Sequence, residues 1–452
     1  MSEKNRKNHD GNPIPSPFNK KISVVRSIIA LIIVAMMLVF AVSCDYYEMV
    51  GNSSKPAKVN DEISGQLGIL KSYFDAYYYY ESDEDAQLDA VLKAYVAASG
   101  DRYAEYYTAE ELDALFSETA GESEGIGINV IDSKLNVGGF EYKVFKVINV
   151  TKDSPAAEAG MRVGDYIFSV KTDEGMYILV DTLGYDPALS GLRGAAGTNA
   201  EFSVLRANPD GIYEEIPFSV MRRKIETSSV MAHVCETDAS VGIVKITNFD
   251  LTTPIQLTEA VDGFVKDGID QIVFDVRYNP GGDLASIVAV LSYFLNEGDT
   301  IISASDKEGN TEVIKAAVEK GYSGSYASCN VSRSDLGKYK GLKVAVLCND
   351  SSASAAELFV ANFRDHGLGA VVGTTTYGKG SMQSILDLSR YGMGGLRFTT
   401  RLYFPPCGES YDGIGIEPDV TVELDEELYK KNIYEITDAE DNQLQAAIKT
   451  FE

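Results

Sequence analysis

The chain has 452 residues, enough for two or three domains, and 45% of them are hydrophobic, enough to bury a core. Acidic residues outnumber basic ones by 67 to 40, for a formal net charge of −27. That surplus excludes nucleic acid and anionic lipid headgroups as principal partners, and no basic stripe with interleaved aromatics reverses it.

In chain order, Lys4, Arg6, Lys7, Lys20, Lys21 and Arg26 precede an uncharged run, Ser27 to Cys44, so residues 1–44 read as a targeting segment. The run ends in Ala41-Val42-Ser43-Cys44, small residues before a cysteine, as in a lipoprotein cleavage box. Its 18 residues are also the minimum for a spanning helix, so a lipid anchor and an uncleaved membrane anchor are both open. Positive charge before the run, with Asp45 and Glu48 after it, predicts that the remainder is exported to the extracytoplasmic face of a bacterial membrane. Residues 45–60, polar from Gly51 onward, form a linker.

A helical N-terminal region is expected over 61–118, with Leu88, Val91, Leu92 and Tyr95 on one face. Asp101 to Tyr107 breaks it before a second helix, Ala109 to Phe116. Over 119–225 the pattern becomes short strands: Ile126–Ile131, Tyr142–Val150, Tyr166–Val170, Ala200–Arg206 and Glu215–Met221. Helical pieces lie at Ala156–Ala159 and near Ala188–Leu192. Over 226–428 strands alternate with helices, which predicts an α/β sheet with crossover helices. The expected strands are Val241–Thr247, Gln271–Arg277, Lys343–Cys348 and Ala370–Val372. The expected helices are Ile255–Lys266, Leu284–Leu295, Ala353–Arg364 and Glu312–Lys320. Residues 429–452 form a C-terminal tail.

Two familiar patterns fail on inspection. Gly373-x-x-x-x-Gly378-Lys379 begins like a phosphate-binding loop, but Gly380 stands where a Mg²⁺-holding hydroxyl is required. Gly121-x-Ser123-x-Gly125 has the spacing of a nucleophile elbow but lies in an acidic stretch with no strand before it. Histidine is scarce: only His9, His233 and His366 occur, His9 lies in the targeting segment, and His366 sits in a helix-ending turn. Acyl-transfer chemistry would therefore draw its base from lysine. Cys235, Cys329, Cys348 and Cys407 form no C-x-x-C motif; pairing and buried free thiols are both open.

The segment Leu342 to Gln383 can carry such chemistry. An apolar strand, a turn and a helix set Ser354 at a helix N-terminus, where free amides can stabilise an oxyanion. A serine there is commonly no more than an N-cap. Tyr377-Gly378-Lys379-Gly380-Ser381-Met382-Gln383 holds a lysine between glycines, with apolar neighbours whose burial would lower its pKa toward that of a usable base. Asn279-Pro280-Gly281-Gly282, after a strand, is a turn able to present amides to negative charge.

Ser352-Ala353-Ser354-Ala355-Ala356-Glu357, Gly378-Lys379-Gly380-Ser381-Met382-Gln383, Asn279-Pro280-Gly281-Gly282 and Gly413-Ile414-Gly415-Ile416-Glu417-Pro418-Asp419 occur in the order found in one family. From about Asp61 to Val422 the chain resembles the C-terminal processing (tail-specific) peptidases, with Ala356 where that family often has serine. The resemblance implies a serine endopeptidase with Ser354 as nucleophile, Lys379 as general base and Gln383 orienting it. Gly281 and Ala355 supply the oxyanion amides. The 25-residue spacing of Ser354 and Lys379 is also the family's. The core, 226–428, is expected to be crotonase-like. Residues 119–225 resemble a PDZ domain, with Gly125, Ile126, Gly127 and Ile128 as the loop and first strand that take a protein C-terminus, and with Ser154 to Asp165 as its helix and turn. Arg193 closes the next helix, where a C-cap cation is the simpler role. The implied partners are protein or peptide substrates held by the C-terminus. No metal or organic cofactor is implied, and an activating partner protein and a homo-oligomer are compatible with the family. The rivals are a non-catalytic PDZ adaptor that binds protein tails and, more remotely, an ATPase.

Overall fold

The computed structural model describes residues 61–172, 174–209 and 211–452, so the expected targeting segment and linker lie outside the described residues. The chain divides into two compact units, Met1–Glu84 and Asp85–Glu452. The described part of the first, residues 61–84, contains helix α1 (Asp61–Tyr77), on which Lys71 pairs with Asp75 at 3.1 Å and with Glu84 at 2.9 Å.

Helix α2 (Glu84–Ala97) starts at the last residue of the first unit and otherwise belongs to the second; its Lys93 pairs with Glu111 at 2.6 Å. The break expected at 101–107 contains β1 (Glu105–Tyr107). Helix α3 (Ala109–Thr119) starts at a capping box: the Thr108 side chain accepts from the Glu111 amide and Glu111 accepts from the Thr108 amide. Strand β2 (Glu122–Gly125) then leads into β3 (Ile128–Val137), β4 (Phe140–Val150), α4 (Pro155–Glu158), β5 (Tyr166–Lys171) and β6 (Tyr177–Leu179). Next come α5 (Val180–Leu183), α6 (Tyr185–Leu192), β7 (Asn199–Ala207), β8 (Tyr213–Met221) and β9 (Arg223–Glu226).

Strands β3, β4, β5, β7 and β8 form one sheet in that order, with β6 on β5, around a core that includes Phe145, Ile167, Phe202 and Val204. Antiparallel pairing of β2 with β9 means that the chain enters and leaves this sheet through one two-stranded ribbon. Arg222, at the exit, is buried, and its guanidinium donates to the Leu192, Gly191 and Asn199 carbonyls. Arg193 is the exposed C-cap of α6.

The remainder runs β10 (Val230–Val234), β11 (Val241–Ile246), α7 (Thr253–Lys266), β12 (Gln271–Asp275), α8 (Leu284–Ser292), β13 (Thr300–Asp306), β14 (Thr311–Lys315) and β15 (Lys343–Cys348). It continues with α9 (Ala355–Asp365), β16 (Ala370–Gly373), β17 (Ser381–Asp387), β18 (Gly395–Phe404), β19 (Val420–Thr421) and α10 (Asn442–Ile448). Strands β11, β12, β15, β16 and β19 pair in parallel, and β10 closes one edge antiparallel. Alternate residues of these strands serve two cores. Val244, Ile272, Phe274, Val344 and Val346 face the side of Leu257, Ile287 and Phe359. Ile243, Val273, Ala345 and Leu347 face Leu444 and Ala447 of α10. Covering both faces is why these strands read as unbroken apolar runs.

The helix expected at Glu312–Lys320 is not formed. Thr311–Lys315 is instead strand β14, antiparallel to β13, because its β-branched Val313 and Ile314 find a partner strand. Strands β1, β13, β14, β17 and β18 make a second, antiparallel sheet. The whole is a mixed α/β structure with several sheets.

Candidate active site

Strand β15 delivers the chain into a turn that is fixed to the turn after β12. The Ser352 hydroxyl donates to the Val276 carbonyl at 2.8 Å, the Ala353 amide to the Asn279 carbonyl at 2.9 Å, and the Tyr278 amide to Asn349 Oδ1 at 3.0 Å. Ser354 is the N-cap of α9 with φ 55° and ψ −116°. A serine in that region carries strain of about 1–3 kcal/mol, which persists only because the surrounding bonds over-determine it. Its Oγ lies 3.4 Å from the Tyr403 hydroxyl.

Gly281 has φ 109°, and a Cβ there would stand 2.7 Å from Ser354 Cβ and 2.9 Å from the Ala355 nitrogen. Positive φ and close approach together require glycine. The Ala355 amide, at the first position of α9, donates to no group among the described residues. The Gly281 amide is engaged, donating to Asn279 Oδ1 at 2.8 Å. Beneath this turn lies a buried ion cluster: Arg277 binds Asp275 at 2.9 Å and Asp441 at 2.6 Å, and Lys245 binds Asp275 at 3.1 Å. Burial disfavours ionised Asp275, but the Arg277 and Lys245 cations overcome it and hold the carboxyl well below the usual range.

Lys379 lies in the loop before β17. The Gly413-Ile414-Gly415 segment braces this loop: the Gly413 amide donates to the Gly378 carbonyl at 2.8 Å, and a Cβ at Gly378 would meet the Gly415 nitrogen at 2.9 Å. Half-buried Lys379 has a pKa below its ordinary value, through burial first and the Arg397 cation second. Its ammonium stands over the Tyr103 ring, 4.7 Å from the centroid. Gln383, expected to orient the lysine, donates instead to Ser381 Oγ at 3.0 Å and Thr399 Oγ1 at 3.2 Å. Among the described residues no hydrogen bond joins Lys379 Nζ to Ser354 Oγ or to Gln383.

Glu357 joins the two loops, alongside the Tyr377 amide, which donates to the Ser352 carbonyl at 3.0 Å. Glu357 Oε2 accepts from the Ser354 amide at 2.9 Å and the Lys379 amide at 2.7 Å. Its Oε1 accepts from the Gly378 amide and from Thr376 Oγ1, both at 2.6 Å. The side chain is fully buried; burial pushes its pKa up, while the four donors pull the other way. Glu357 is legible in part from sequence, since Ser354-x-x-Glu357 is a capping-box spacing. Tyr103 and Tyr403 carry no local signal.

The expected tail-binding residues lie together elsewhere. Gly125 ends β2, Ile126 and Gly127 are buried, and Ile128 opens β3. The Ile126 carbonyl accepts from the Ala156 amide at 2.8 Å, and Gly127, with φ 84°, packs so closely on Ser154 that a Cβ would meet its Cβ at 2.2 Å. The Ile126 and Gly127 amides donate to no group among the described residues.

The two described histidines are employed away from Ser354: His233 Nε2 contacts both Asp438 oxygens at 3.1 Å, and His366 caps α9 with Nε2 2.8 Å from the Thr300 carbonyl. Cys235, Cys329, Cys348 and Cys407 are free thiols, the first three buried.

The model of peptidase family S41 matches residues 240–422. The carboxy-terminal-processing protease of Bartonella bacilliformis is 32% identical over 327 residues, 72% of this chain and 67% of that protein. The carboxy-terminal processing protease CtpA of Bacillus subtilis is 28% identical over 382 residues, 83% of this chain and 73% of that protein. This chain therefore spans about two thirds to three quarters of the length of these relatives. A solved Bacteroides fragilis structure assigned to the S41 proteases superposes with a TM-score of 0.53 at 17% identity, covering 83% of this chain and 92% of that one, a likeness of fold.

Proposed function

Because the chain belongs to the carboxy-terminal processing proteases of peptidase family S41 and is a serine-type peptidase, we propose that it cleaves peptide bonds with a Ser354–Lys379 dyad and no catalytic histidine. Neutral Lys379 accepts the Ser354 proton, Oγ attacks the substrate carbonyl, and an acyl-enzyme forms that water then releases. The oxyanion is held by the Ala355 amide and by the Gly281 amide, once the latter exchanges its bond to Asn279. The observation that carries this reading is Glu357 Oε2, which accepts from the amides of both Ser354 and Lys379 and so holds together two loops 25 residues apart. For turnover, Lys379 Nζ leaves the Tyr103 face for Ser354 Oγ, and Gln383 turns toward the lysine.

Residues 119–225 act as a PDZ domain that captures substrate C-termini, a reading supported by the unengaged Ile126 and Gly127 amides beside Gly125 and Ile128. Residues 226–428 form the crotonase-like peptidase core, and residues 1–44 export and anchor the protein outside the cytoplasm, by lipid or by membrane helix. Ser354→Ala and Lys379→Ala should each abolish cleavage of an unfolded protein with a free C-terminus while keeping the parental melting temperature. Parental turnover by either variant removes the dyad. Equal tail binding by a parent protein that cleaves nothing would favour the adaptor reading.

A further inference from the structure

We propose that Tyr403 is a further catalytic residue, one that rests on the Ser354–Lys379 reading: its phenol donates a hydrogen bond to Ser354 Oγ, orienting the serine proton for transfer and stabilising the charge that develops on Oγ. The Tyr403 hydroxyl is a hydrogen-bonding neighbour of Ser354 Oγ, at 3.4 Å. That is long for two hydroxyls, but such bonds commonly tighten in the reacting complex. Tyr403 is also tied to the lysine loop, because its amide donates to the Gly380 carbonyl at 3.0 Å. One residue of β18 thus touches the candidate nucleophile and braces the neighbour of the candidate base.

The phenol is suited to donation and not to proton abstraction. Its ring is 5% exposed and lies 6.0 Å from that of Tyr411, so it cannot swing away freely. Burial pushes its pKa up to about 12, so it keeps its proton at neutral pH and leaves the base role to Lys379. In the step itself, Oγ bonds to the carbonyl carbon, the carbonyl π pair moves to oxygen, and the serine proton passes to Lys379 Nζ. Tyr403 retains its own proton throughout.

The test is the rate at which a fluorophosphonate probe labels the full chain, alongside peptide hydrolysis, in the parent, Tyr403→Phe, Tyr403→Leu and Ser354→Ala. Tyr403→Phe keeps the ring and should slow labelling and kcat by about 10- to 100-fold, the usual worth of a hydrogen bond to a charged atom. KM, melting temperature and the pH of the activity limb should stay at parental values. Parental labelling by Tyr403→Phe, with loss only in Tyr403→Leu, would assign the residue to packing and overturn the proposal while leaving the dyad in place. Labelling of Ser354→Ala at the parental rate would overturn the dyad reading and this proposal with it.

Discussion

Glu357→Gln is the substitution that most directly tests whether one buried carboxylate assembles the site. The amide matches the carboxylate in size but has one accepting oxygen in place of two. With its NH2 at the Oε2 position, the amides of Ser354 and Lys379 both lose their acceptor. In the opposite orientation the Gly378 amide loses its acceptor, while Thr376 Oγ1 can turn and accept from the new NH2. The second orientation costs less, because it leaves a single backbone donor stranded in a buried place, worth about 1–3 kcal/mol. If that cost falls on the register of the lysine loop against Ser354, kcat should drop about 5- to 150-fold with KM nearly unchanged. The melting temperature should fall by a few degrees, at about 2–4 °C per kcal/mol for a chain of a few hundred residues. Glu357→Ala strands the Ser354, Gly378 and Lys379 amides together and should lose both fold and activity. The assay is steady-state hydrolysis of an unfolded protein with a free C-terminus, paired with thermal melting. Glu357→Gln turning over within twofold of the parent would refute the reasoning.

Gly281→Ala should cut kcat by at least about 100-fold, the scale of one lost oxyanion donor, because its Cβ would meet Ser354 Cβ at 2.7 Å and the Ala355 nitrogen at 2.9 Å. Parental kcat in that variant would place the oxyanion elsewhere. The pH dependence follows from Lys379. Its pKa is lowered by burial and then by Arg397, and in the proposed dyad the neutral form is the active one, so kcat/KM should rise with pH through a limb below the ordinary lysine value. Arg397→Gln removes a cation, so the lysine pKa should rise and the limb should move to higher pH. A limb that stays in place or moves to lower pH contradicts lysine as the base.

The features of this protein that reside in neighbouring residues are legible in its sequence. The apolar runs of β11, β12 and β15 announce strands, because a sheet buried on both faces leaves no polar alternation. Val344 to Leu347, then a turn, then a helix expected from Ala353 place Ser354 near a helix start; α9 begins two residues later, at Ala355, with Ser354 as its N-cap. Glycines at 281, 378 and 380 mark close approaches that the folded chain makes. The helix expected at Glu312–Lys320 fails because Val313 and Ile314 have a partner strand in β13 that local pattern does not reveal.

The long-range partners of the site are decided only by tertiary structure. Tyr403 reaches Ser354 from 49 residues away, Asp101 holds Thr399 from 298 residues away, and Tyr103 faces Lys379 from another part of the fold. The sequence by itself determines the local features of the candidate site, since a serine at a helix start, a glycine-flanked lysine and a Pro-Gly-Gly turn are local properties of the backbone. The fold decides that Gln383 rests on Ser381 and Thr399, that Lys379 rests on Tyr103, and that Glu357 ties the two loops. Hydrogen bonds and ring contacts act over only a few ångströms, so which residues meet depends on how distant strands and loops pack, and no sequence window contains that.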